Sequence, residues 1–271
     1  MEMRLFATAS RGIEHLLAVE LRALGAAHVR ETRAGVSFAG DLLTAYRVCL
    51  WSRLASRVLL PLARFPVVDP DDLYAGVYGV DWLAHLDEGR TLAVSFTGTS
   101  RTIRDTMFGA QRVKDAIVDQ VREKRGGARP SVDTLRPDVR VFTHLARDEA
   151  TVGIDLSGDS LHRRGYRRPR EQGVAPLKET LAAALLMHGG WPTIAAAGGA
   201  FVDPLCGSGT LPIEATLLAG DVAPGLLRAD RAARAPSRPH AFGFEGWSGH
   251  DAAAWGELLR GAAARREAGL A

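Results

Sequence analysis

A glycine-containing turn between a predicted strand and a predicted helix constrains the fold of this chain more than any other feature. Apolar residues at 200–202 enter a strand that ends at Asp203, the turn Pro-Leu-Cys-Gly-Ser-Gly follows, and helical spacing begins at about Leu211. Gly207 and Gly209 lack a Cβ, so the backbone can turn sharply and a ligand can approach its amide groups. A strand, a turn and a helix in this order indicate an α/β domain.

The turn predicts a polar ligand. The helix after it presents unpaired N–H groups and the positive end of its dipole, which favour an anion or a polar tail such as a carboxylate. Asp203 would repel a phosphate and favours a cationic or amino group instead. An ordinary strand-to-helix connection is the alternative for a bare Gly-Ser-Gly turn, and the flanking Asp-Pro and Thr-Leu-Pro-Ile-Glu favour a cofactor site over it.

Three known motifs with similar glycines do not match this turn. A phosphate loop needs a lysine after its last glycine, and none follows Gly209. Pro212 stands where the dinucleotide-binding motif has its third glycine. The Gly-x-Ser-x-Gly pattern of a nucleophile elbow is absent from the turn.

Hydrophobic spacing predicts strands and helices in alternation along the first part of the chain. Ser10 is a predicted N-cap and Gly25 a predicted helix end. The predicted elements are a strand at 4–9, a helix with apolar residues at 13, 16, 17, 21 and 24, an extended stretch at 28–38, a helix at 42–54 and a β-rich stretch at 56–68. This order indicates a small α/β unit with a split β-α-β arrangement.

The rest of the chain contains further predicted elements. They are a helix at 71–80, a strand at 92–96, a helix at 103–125, a hairpin of 139–144 with 151–156, a helix opened by Pro176, a strand at 200–202, a helix at 211–219, a loop at 221–239 and an amphipathic piece at 251–266. The helix at 103–125 has an apolar face of Ile103, Met107, Ala110, Val113, Ile117 and Val121. The helix after Pro176 has an apolar side of Leu177, Leu181, Ala184 and Leu185.

Composition excludes several classes of protein. With 271 residues, 46% hydrophobic and 24% charged, the chain is too apolar to be disordered and long enough for two domains or one with part of another. It has no apolar run near the roughly 18 residues that span a membrane. The two cysteines, Cys49 and Cys206, predict neither a disulfide framework nor a zinc site. The N-terminus does not read as a signal peptide, so we expect a cytoplasmic protein without a metal or a membrane partner.

The segment from Asp203 to Glu214, DPLCGSGTLPIE, resembles the first cofactor motif of S-adenosylmethionine-dependent RNA methyltransferases. The upstream stretches GYR and APLKETLAAALL resemble the segment before that motif in the branch with a THUMP domain. Four further stretches resemble the N-terminal part of the bacterial bifunctional large-subunit ribosomal RNA methyltransferases: RLFATASRGIEHLLAVEL, CLWSRLASRVLLPL, VKDAIVDQV and IDLSGDSLHRRGYR. The resemblance covers almost the whole chain and is weakest at 195–200 and 228–239.

The resemblance implies a fold class of α/β and α+β with three parts. These are a ferredoxin-like N-terminal unit at 1–68, a THUMP RNA-binding domain at 69–159 packed with it, and a linker with the truncated start of a Rossmann-like methyltransferase domain at 160–271. By resemblance, the residues that bind S-adenosylmethionine are Asp203, Pro204, Cys206, Gly207, Ser208, Gly209, Thr210, Lys178, Glu179 and Thr180. A solvent-facing helix residue is the alternative for Glu179. Cys206 is interpreted as a small packing residue rather than a nucleophile.

The implied function is methylation of guanine bases in 23S ribosomal RNA. Such enzymes orient the guanine amine with an Asn-Pro-Pro-Tyr or Asp-Pro-Pro-Tyr stretch, and neither occurs in this sequence. No catalytic residue is therefore assigned, and we expect the N-terminal, RNA-targeting portion of a longer enzyme, inactive at this length. A THUMP-type RNA-binding module without catalysis is the alternative. A THUMP-linked sulfur transferase is excluded because the Ser-Gly-Gly-x-Asp-Ser loop is absent.

Two local excesses of basic residues predict contacts with 23S ribosomal RNA. Residues 90–140 contain eleven Lys or Arg against six Asp or Glu, and residues 161–178 contain six against one. Arginines can neutralise phosphates, and cations interleaved with an aromatic ring are typical of nucleic-acid binding. The candidate RNA-binding residues are Arg104, Arg112, Arg122, Arg163, Arg164, Tyr166, Arg167 and Arg168. A solvated linker and an exposed helix side are the alternatives.

Overall fold

The computed structural model describes residues 2–167, 177–234 and 240–270. Its elements in chain order are β1 (Met3–Thr8), α1 (Glu14–Ala23), β2 (Ala27–Thr32), β3 (Gly35–Gly40), α2 (Leu42–Trp51), β4 (Arg57–Pro66), α3 (Pro70–Tyr78), β5 (Thr91–Gly98), α4 (Thr106–Lys124), β6 (Ser131–Val132), β7 (Val139–Ala146), β8 (Glu149–Asp155), α5 (Glu179–His188), α6 (Trp191–Ala196), α7 (Thr210–Ala219), α8 (Pro224–Ala233) and α9 (Ala252–Leu270). They form two compact units. The first unit contains Met1–Val58, Asp159–Ala241 and Asp251–Ala271, and the second contains Leu59–Gly158 and Phe242–His250.

The N-terminal part of the first unit is a small antiparallel sheet with helices. β3 pairs with β1 on one side and with β2 on the other, and α1 packs against β2 and β3. Asp41 caps α2 by accepting a hydrogen bond from the Thr44 amide at 2.7 Å. The prediction of Ser10 as N-cap of α1 is wrong: the helix begins at Glu14, and Ile13 precedes it without a side-chain cap.

The remainder of the first unit is helical. Leu186, Trp191 and Ala215 form an apolar cluster between α5, α6 and α7, and the indole N–H of Trp191 donates to the Ala215 carbonyl at 2.9 Å. Leu181 and Leu185, predicted on the apolar side of α5, are exposed, while the neighbouring alanines are buried. The predicted start of α5 at Pro176 lies outside the described residues.

Two predictions for this part of the chain are wrong. Residues 200–202 form no strand, because no backbone in the described part of the chain pairs with them. The loop predicted at 221–239 instead contains α8, in which Pro224 occupies the first turn and Leu226 and Ala229 are buried. Proline suits a first helical turn because its missing N–H would have no partner there.

The second unit contains a sheet and the helices α3 and α4. Its strand order is β4-β8-β7-β5-β6, in which β8 pairs antiparallel with both β4 and β7, and β5 pairs parallel with β7 and β6. α3 packs against α4, which packs against β5. None of the described helices combines the length and the apolar character that crossing a membrane requires.

The long helix α4 begins three residues later than predicted, and one side of it differs from the prediction. Asp105 caps it by accepting from the Met107 amide at 2.7 Å, so Ile103 precedes the helix. Val113, Ile117 and Val121 are buried as predicted, but Met107 is 80% exposed. The amphipathic spacing therefore identifies the core side of α4 beyond its first turn only.

Candidate cofactor site

The glycine turn forms at the start of α7. Asp203 Oδ1 accepts from the Leu205 amide at 3.1 Å, and the Gly209 amide donates to the Cys206 carbonyl at 2.8 Å. Gly207 and Gly209 have φ of +53° and +73°, in the left-handed region that glycine adopts at little cost. With these conformations the turn leads into the first turn of α7, which begins at Thr210.

The turn is open to solvent. Residues 204–208 are exposed, and a Cβ placed on Gly207 would meet no atom closer than the Leu205 carbonyl oxygen at 4.0 Å. Leu205 is 92% exposed. Cys206 is also exposed, so its interpretation as a packing residue is wrong. The backbone of this turn is therefore accessible to a ligand.

Arg167 joins the turn to the start of α5. Its Nη2 donates to the Leu177 carbonyl at 2.8 Å and to Thr210 Oγ1, and its Nη1 lies 3.5 Å from Glu179 Oε1. The structure thus brings together two segments predicted to bind the cofactor, Lys178–Thr180 and Asp203–Thr210. Arg167 itself is largely buried here, so the structure does not place it on a surface that RNA could reach.

Two buried oxygens at the start of α5 have no hydrogen-bond partner among the described residues. They are Glu179 Oε2 and Thr180 Oγ1. Burial raises the pKa of Glu179 above its ordinary value. Glu179 is buried rather than solvent-facing, and Lys178 is exposed. Unsatisfied buried acceptors are rare in native proteins, and a polar ligand or water would satisfy them.

Arg164 and Tyr166, predicted to bind RNA, contact a carboxylate inside the first unit instead. Arg164 is 2% exposed, and its guanidinium donates to the carbonyls of Leu161 at 2.9 Å and Arg53 at 2.6 Å. Arg164 Nε lies 3.6 Å from Glu214 Oε1, and the Tyr166 hydroxyl donates to the same oxygen at 3.0 Å. Burial, followed by the charge of Glu214, raises the pKa of Tyr166. These side chains are not available to phosphates.

Sequence reasoning missed Arg53, which contacts the C-terminal end of α7. Its Nη2 donates to the carbonyls of Leu217 at 3.1 Å and Val222 at 2.9 Å, and its amide donates to Glu20 Oε1 at 2.8 Å. Burial, together with repulsion from Arg164, lowers the pKa of Arg53 to about 10, and burial raises that of Glu20. Arginines 53, 164 and 167 therefore contact the end, the middle and the beginning of one helix. No local pattern around residue 53 signals this contact.

The environment of this cluster also affects a histidine. His162 Nδ1 lies 2.8 Å from Ser160 Oγ. Burial, with the nearby charges of Lys178 and Arg163, lowers the pKa of His162 to about 4. The ring is therefore neutral at neutral pH. Within the described ranges, no group of three or more His, Cys, Asp or Glu side chains is suited to a metal ion.

The other predicted RNA-binding residues have different surroundings. Arg163 is exposed, 3.8 Å from Asp159, and Arg104 and Arg122 are exposed in the second unit, where Arg122 pairs with Asp119 at 3.0 Å. Arg112 instead faces α3: it pairs with Asp71, and its guanidinium lies 4.6 Å from the centre of the Tyr74 ring. Arg168 lies outside the described residues.

Three family models match consecutive parts of the chain. They are the RlmL ferredoxin-like domain at residues 4–59, the THUMP domain at 68–155 and the RMKL-like methyltransferase domain at 164–263. The ribosomal RNA large subunit methyltransferase K/L of Syntrophotalea carbinolica is 56% identical over 99% of this chain and 36% of its own length. That of Methylococcus capsulatus is 56% identical over 98% of this chain and 34% of its own length.

The chain is therefore similar, along nearly its whole length, to part of the methyltransferase K/L proteins. It spans about a third of the length of the curated K/L relatives it matches. The family models confirm the predicted fold class, a ferredoxin-like unit and a THUMP domain followed by methyltransferase sequence. The limits predicted for these parts, at 68 and 159, stay a prediction, as do the individual cofactor and RNA contacts.

Solved structures resemble this chain over nearly its whole length. One is named a predicted N6-adenine-specific DNA methylase from Listeria monocytogenes; it has 32% identity and a TM-score of 0.81, and the match covers 98% of this chain and 64% of that one. Another, SMU.472, is named as a methyltransferase complexed with SAH; it has 31% identity and a TM-score of 0.80, over 97% of this chain and 65% of that one.

Proposed function

We propose that this chain is the RNA-targeting part, with the beginning of the catalytic domain, of a cytoplasmic enzyme that methylates guanine bases in 23S ribosomal RNA. Its relatives are named as ribosomal RNA large subunit methyltransferases, which supports the reaction class and the RNA substrate. The complex of SMU.472 with SAH supports S-adenosylmethionine as methyl donor, since SAH is the product that remains after methyl transfer.

The contact of Arg167 with both Thr210 and Glu179 carries the cofactor part of this proposal. This contact holds an accessible glycine turn beside two buried oxygens that lack a hydrogen-bond partner. Amide donors next to oxygen acceptors are complementary to the carboxylate and ammonium groups of an amino acid. The amides of Gly207 and Ser208 would bind the carboxylate, and Glu179 Oε2 with Thr180 Oγ1 would bind the ammonium group. Bound there, S-adenosylmethionine would supply an electrophilic methyl group, and these residues would position it.

We infer further that this length does not catalyse methyl transfer. The glycine turn is exposed, residues 200–202 pair with no described strand, and the sequence contains no Asn-Pro-Pro-Tyr or Asp-Pro-Pro-Tyr to orient a guanine amine. A reacting base needs such orientation, because positioning supplies most of the rate enhancement in a direct displacement.

Titration with S-adenosylmethionine tests the cofactor site. Calorimetry is expected to show little heat with this chain and clear binding with the full-length K/L enzyme of Syntrophotalea carbinolica. In ¹⁵N spectra of this chain at millimolar cofactor, we expect shifts for the amides of Gly207, Gly209 and Thr180. The amides of β5 in the second unit serve as the control.

One result would contradict the inferred inactivity, and another would contradict the cofactor site. Tight binding by this chain would show that the site is already complete, against the inferred inactivity. Shifts confined to residues away from the turn and the start of α5 would place the cofactor elsewhere.

A THUMP-type RNA-binding module without catalysis is the second candidate. The match of the THUMP model to residues 68–155 and the exposure of the turn favour it. RNA binding by this chain, with no spectral change on addition of S-adenosylmethionine even at high concentration, would select this candidate over the first.

A further inference from the structure

Six exposed side chains of the second unit lie at the edge of the sheet where three parallel-running strands end. β4, β5 and β7 all finish there, since Gly98 lies opposite Leu145 and Pro66 opposite Glu149. The segments that follow are connected: Thr102 Oγ1 donates to the Val68 carbonyl at 2.8 Å, and the Val67 amide donates to the Asp148 carbonyl at 2.8 Å. We name this the sheet-end surface, and its members are Val68, Arg101, Arg104, Met107, Phe108 and Arg147.

Phe108 faces the same part of the molecule as Val68. It lies one helical turn before Arg112, so both side chains project from one face of α4. Arg112 Nε donates to the Pro70 carbonyl at 3.2 Å, which places that face against the beginning of α3 and next to Val68. Phe108 is nevertheless 46% exposed. Met107 and Val68 are exposed at 80% and 71%, so three large apolar side chains are exposed at this edge. Exposed apolar side chains that are grouped together are typical of binding sites.

The three arginines of the sheet-end surface have no carboxylate partner in the described part of the chain. Arg104 Nε donates only to the Arg101 carbonyl. By contrast, Arg64, Arg112 and Lys124 of the same unit are each paired with an acidic residue. The surface therefore offers positive charge that is not neutralised locally.

Most acidic residues at this edge are occupied in other contacts. Asp69 and Asp105 cap α3 and α4, Asp72 accepts from the Val68 amide at 2.9 Å, and Glu149 pairs with Arg64. Asp71 pairs with Arg112. Among the described residues of this edge, this leaves Asp148 as a carboxylate against three arginines. This excess of arginine over carboxylate side chains favours an anionic ligand.

We propose that the sheet-end surface binds an unpaired stretch of RNA. This inference rests on the proposed function, which assigns RNA targeting to the chain. Arginines neutralise phosphates, while Phe108 and Met107 offer faces on which unstacked bases can lie. A duplex would use the arginines alone, because its bases are stacked inside it. The combination of free cations with exposed apolar side chains therefore selects single strands.

Fluorescence anisotropy with the 271-residue chain tests this inference, using a labelled single strand of about 10 nucleotides, a typical site size, and a hairpin duplex of equal charge. The double variant Arg101→Ala with Arg104→Ala is expected to lower the slope of log K against log salt by about two. Phe108→Leu is expected to weaken single-strand binding roughly tenfold at unchanged slope, and Phe108→Tyr to restore it. Arg122→Ala, on α4 and ion-paired with Asp119, is the control for the loss of an arginine outside the surface.

Each outcome decides a different point. If the unaltered chain binds neither RNA, the proposed targeting function is wrong and this surface with it. If it binds RNA but the surface variants behave like Arg122→Ala, the surface is wrong and the targeting function stands. If Phe108→Leu weakens binding of the single strand and of the duplex equally, the surface binds phosphates without contacting bases, which contradicts the proposal. Circular dichroism of each variant confirms that the fold is retained.

Discussion

At the scale of single residues, Arg164 and Glu214 form a buried ion pair within the first unit. Arg164 is 2% exposed and Glu214 is fully buried, at 3.6 Å between Nε and Oε1. The neighbouring Arg163 is exposed, and its partner Asp159 is 3.8 Å away. Two adjacent arginines thus experience opposite environments, which makes them a matched pair for measurement.

Arg164→Met is expected to destabilise the chain by about 3–5 kcal/mol, because it leaves the charge of Glu214 buried without compensation. Arg163→Met is expected to change stability by less than about 1 kcal/mol, since exposed ion pairs contribute little. Urea unfolding followed by fluorescence measures both. Similar losses for the two variants would contradict the burial assigned to Arg164.

The sequence could not distinguish these arginines. Leu-His-Arg-Arg-Gly-Tyr-Arg-Arg predicts a basic patch, and four cations with a tyrosine fit RNA binding as well as any other role. Arg164 is buried because Glu214 and the carbonyl of Arg53 surround it, and both are distant in sequence. The glycine turn, by contrast, could be predicted, because its conformation depends on Gly207 and Gly209 themselves.

At the scale of elements, Gly98 fixes the end of the β5–β7 pair. Its φ is +83°, and a Cβ there would lie 1.9 Å from the Leu145 carbonyl oxygen. Gly89, in the same unit, has φ of +78° but open space around it. The two glycines share the left-handed conformation and differ in their neighbours.

Gly89→Ala and Gly98→Ala separate the cost of the left-handed backbone conformation from the cost of a steric clash. Both are expected to lose about 1–2 kcal/mol for the left-handed conformation. Gly98→Ala is expected to lose at least about 1 kcal/mol more, because Leu145 must move away from β5. Chemical denaturation gives the difference in the free energy of unfolding between the two variants. Equal losses would show that β7 can move away from β5 without cost.

Elements that depend on local signals could be predicted, and those that depend on a distant partner could not. The β7–β8 hairpin and α7 lie close to the predicted positions, since alternation, helical spacing and a terminal glycine specify them. Residues 200–202 have strand composition but need a neighbouring strand. The Arg and Ala content of α8 predicts a loop, because this composition gives no sign that Leu226 and Ala229 are buried.

At the scale of the whole chain, the first unit is assembled from segments far apart in sequence. α2 packs against α8 and α9. The Tyr46 hydroxyl accepts from the Asp251 amide at 2.7 Å, and its ring meets Trp255 edge to face at 5.7 Å between centroids. A reading along the sequence cannot detect such contacts, because no local pattern links residue 46 to residue 255.

A chain that ends at Gly158 tests this assembly by hydrogen exchange. The amides of α2 are expected to exchange much faster than in the 271-residue chain, because Tyr46 loses Trp255 and Arg53 loses the carbonyls of α7. Because the truncation also removes Phe242–His250 from the second unit, the internal reference is the set of α4 amides, since α4 packs on α3 and β5, which both chains contain. Unchanged protection of α2 would show that the N-terminal part is stable without the later helices.

The contact of Arg53 with the end of α7 has a consequence for recombination among relatives. A chimera that joins the first 58 residues of one homologue to the remaining sequence of another would place this guanidinium against a helix whose position is set by different side chains. Exchange of the second unit, residues 59–158 together with 242–250, would leave Arg53, Arg164 and Glu214 in one parent sequence. We therefore expect chimeras that exchange the second unit to fold more readily than chimeras that exchange the first 58 residues.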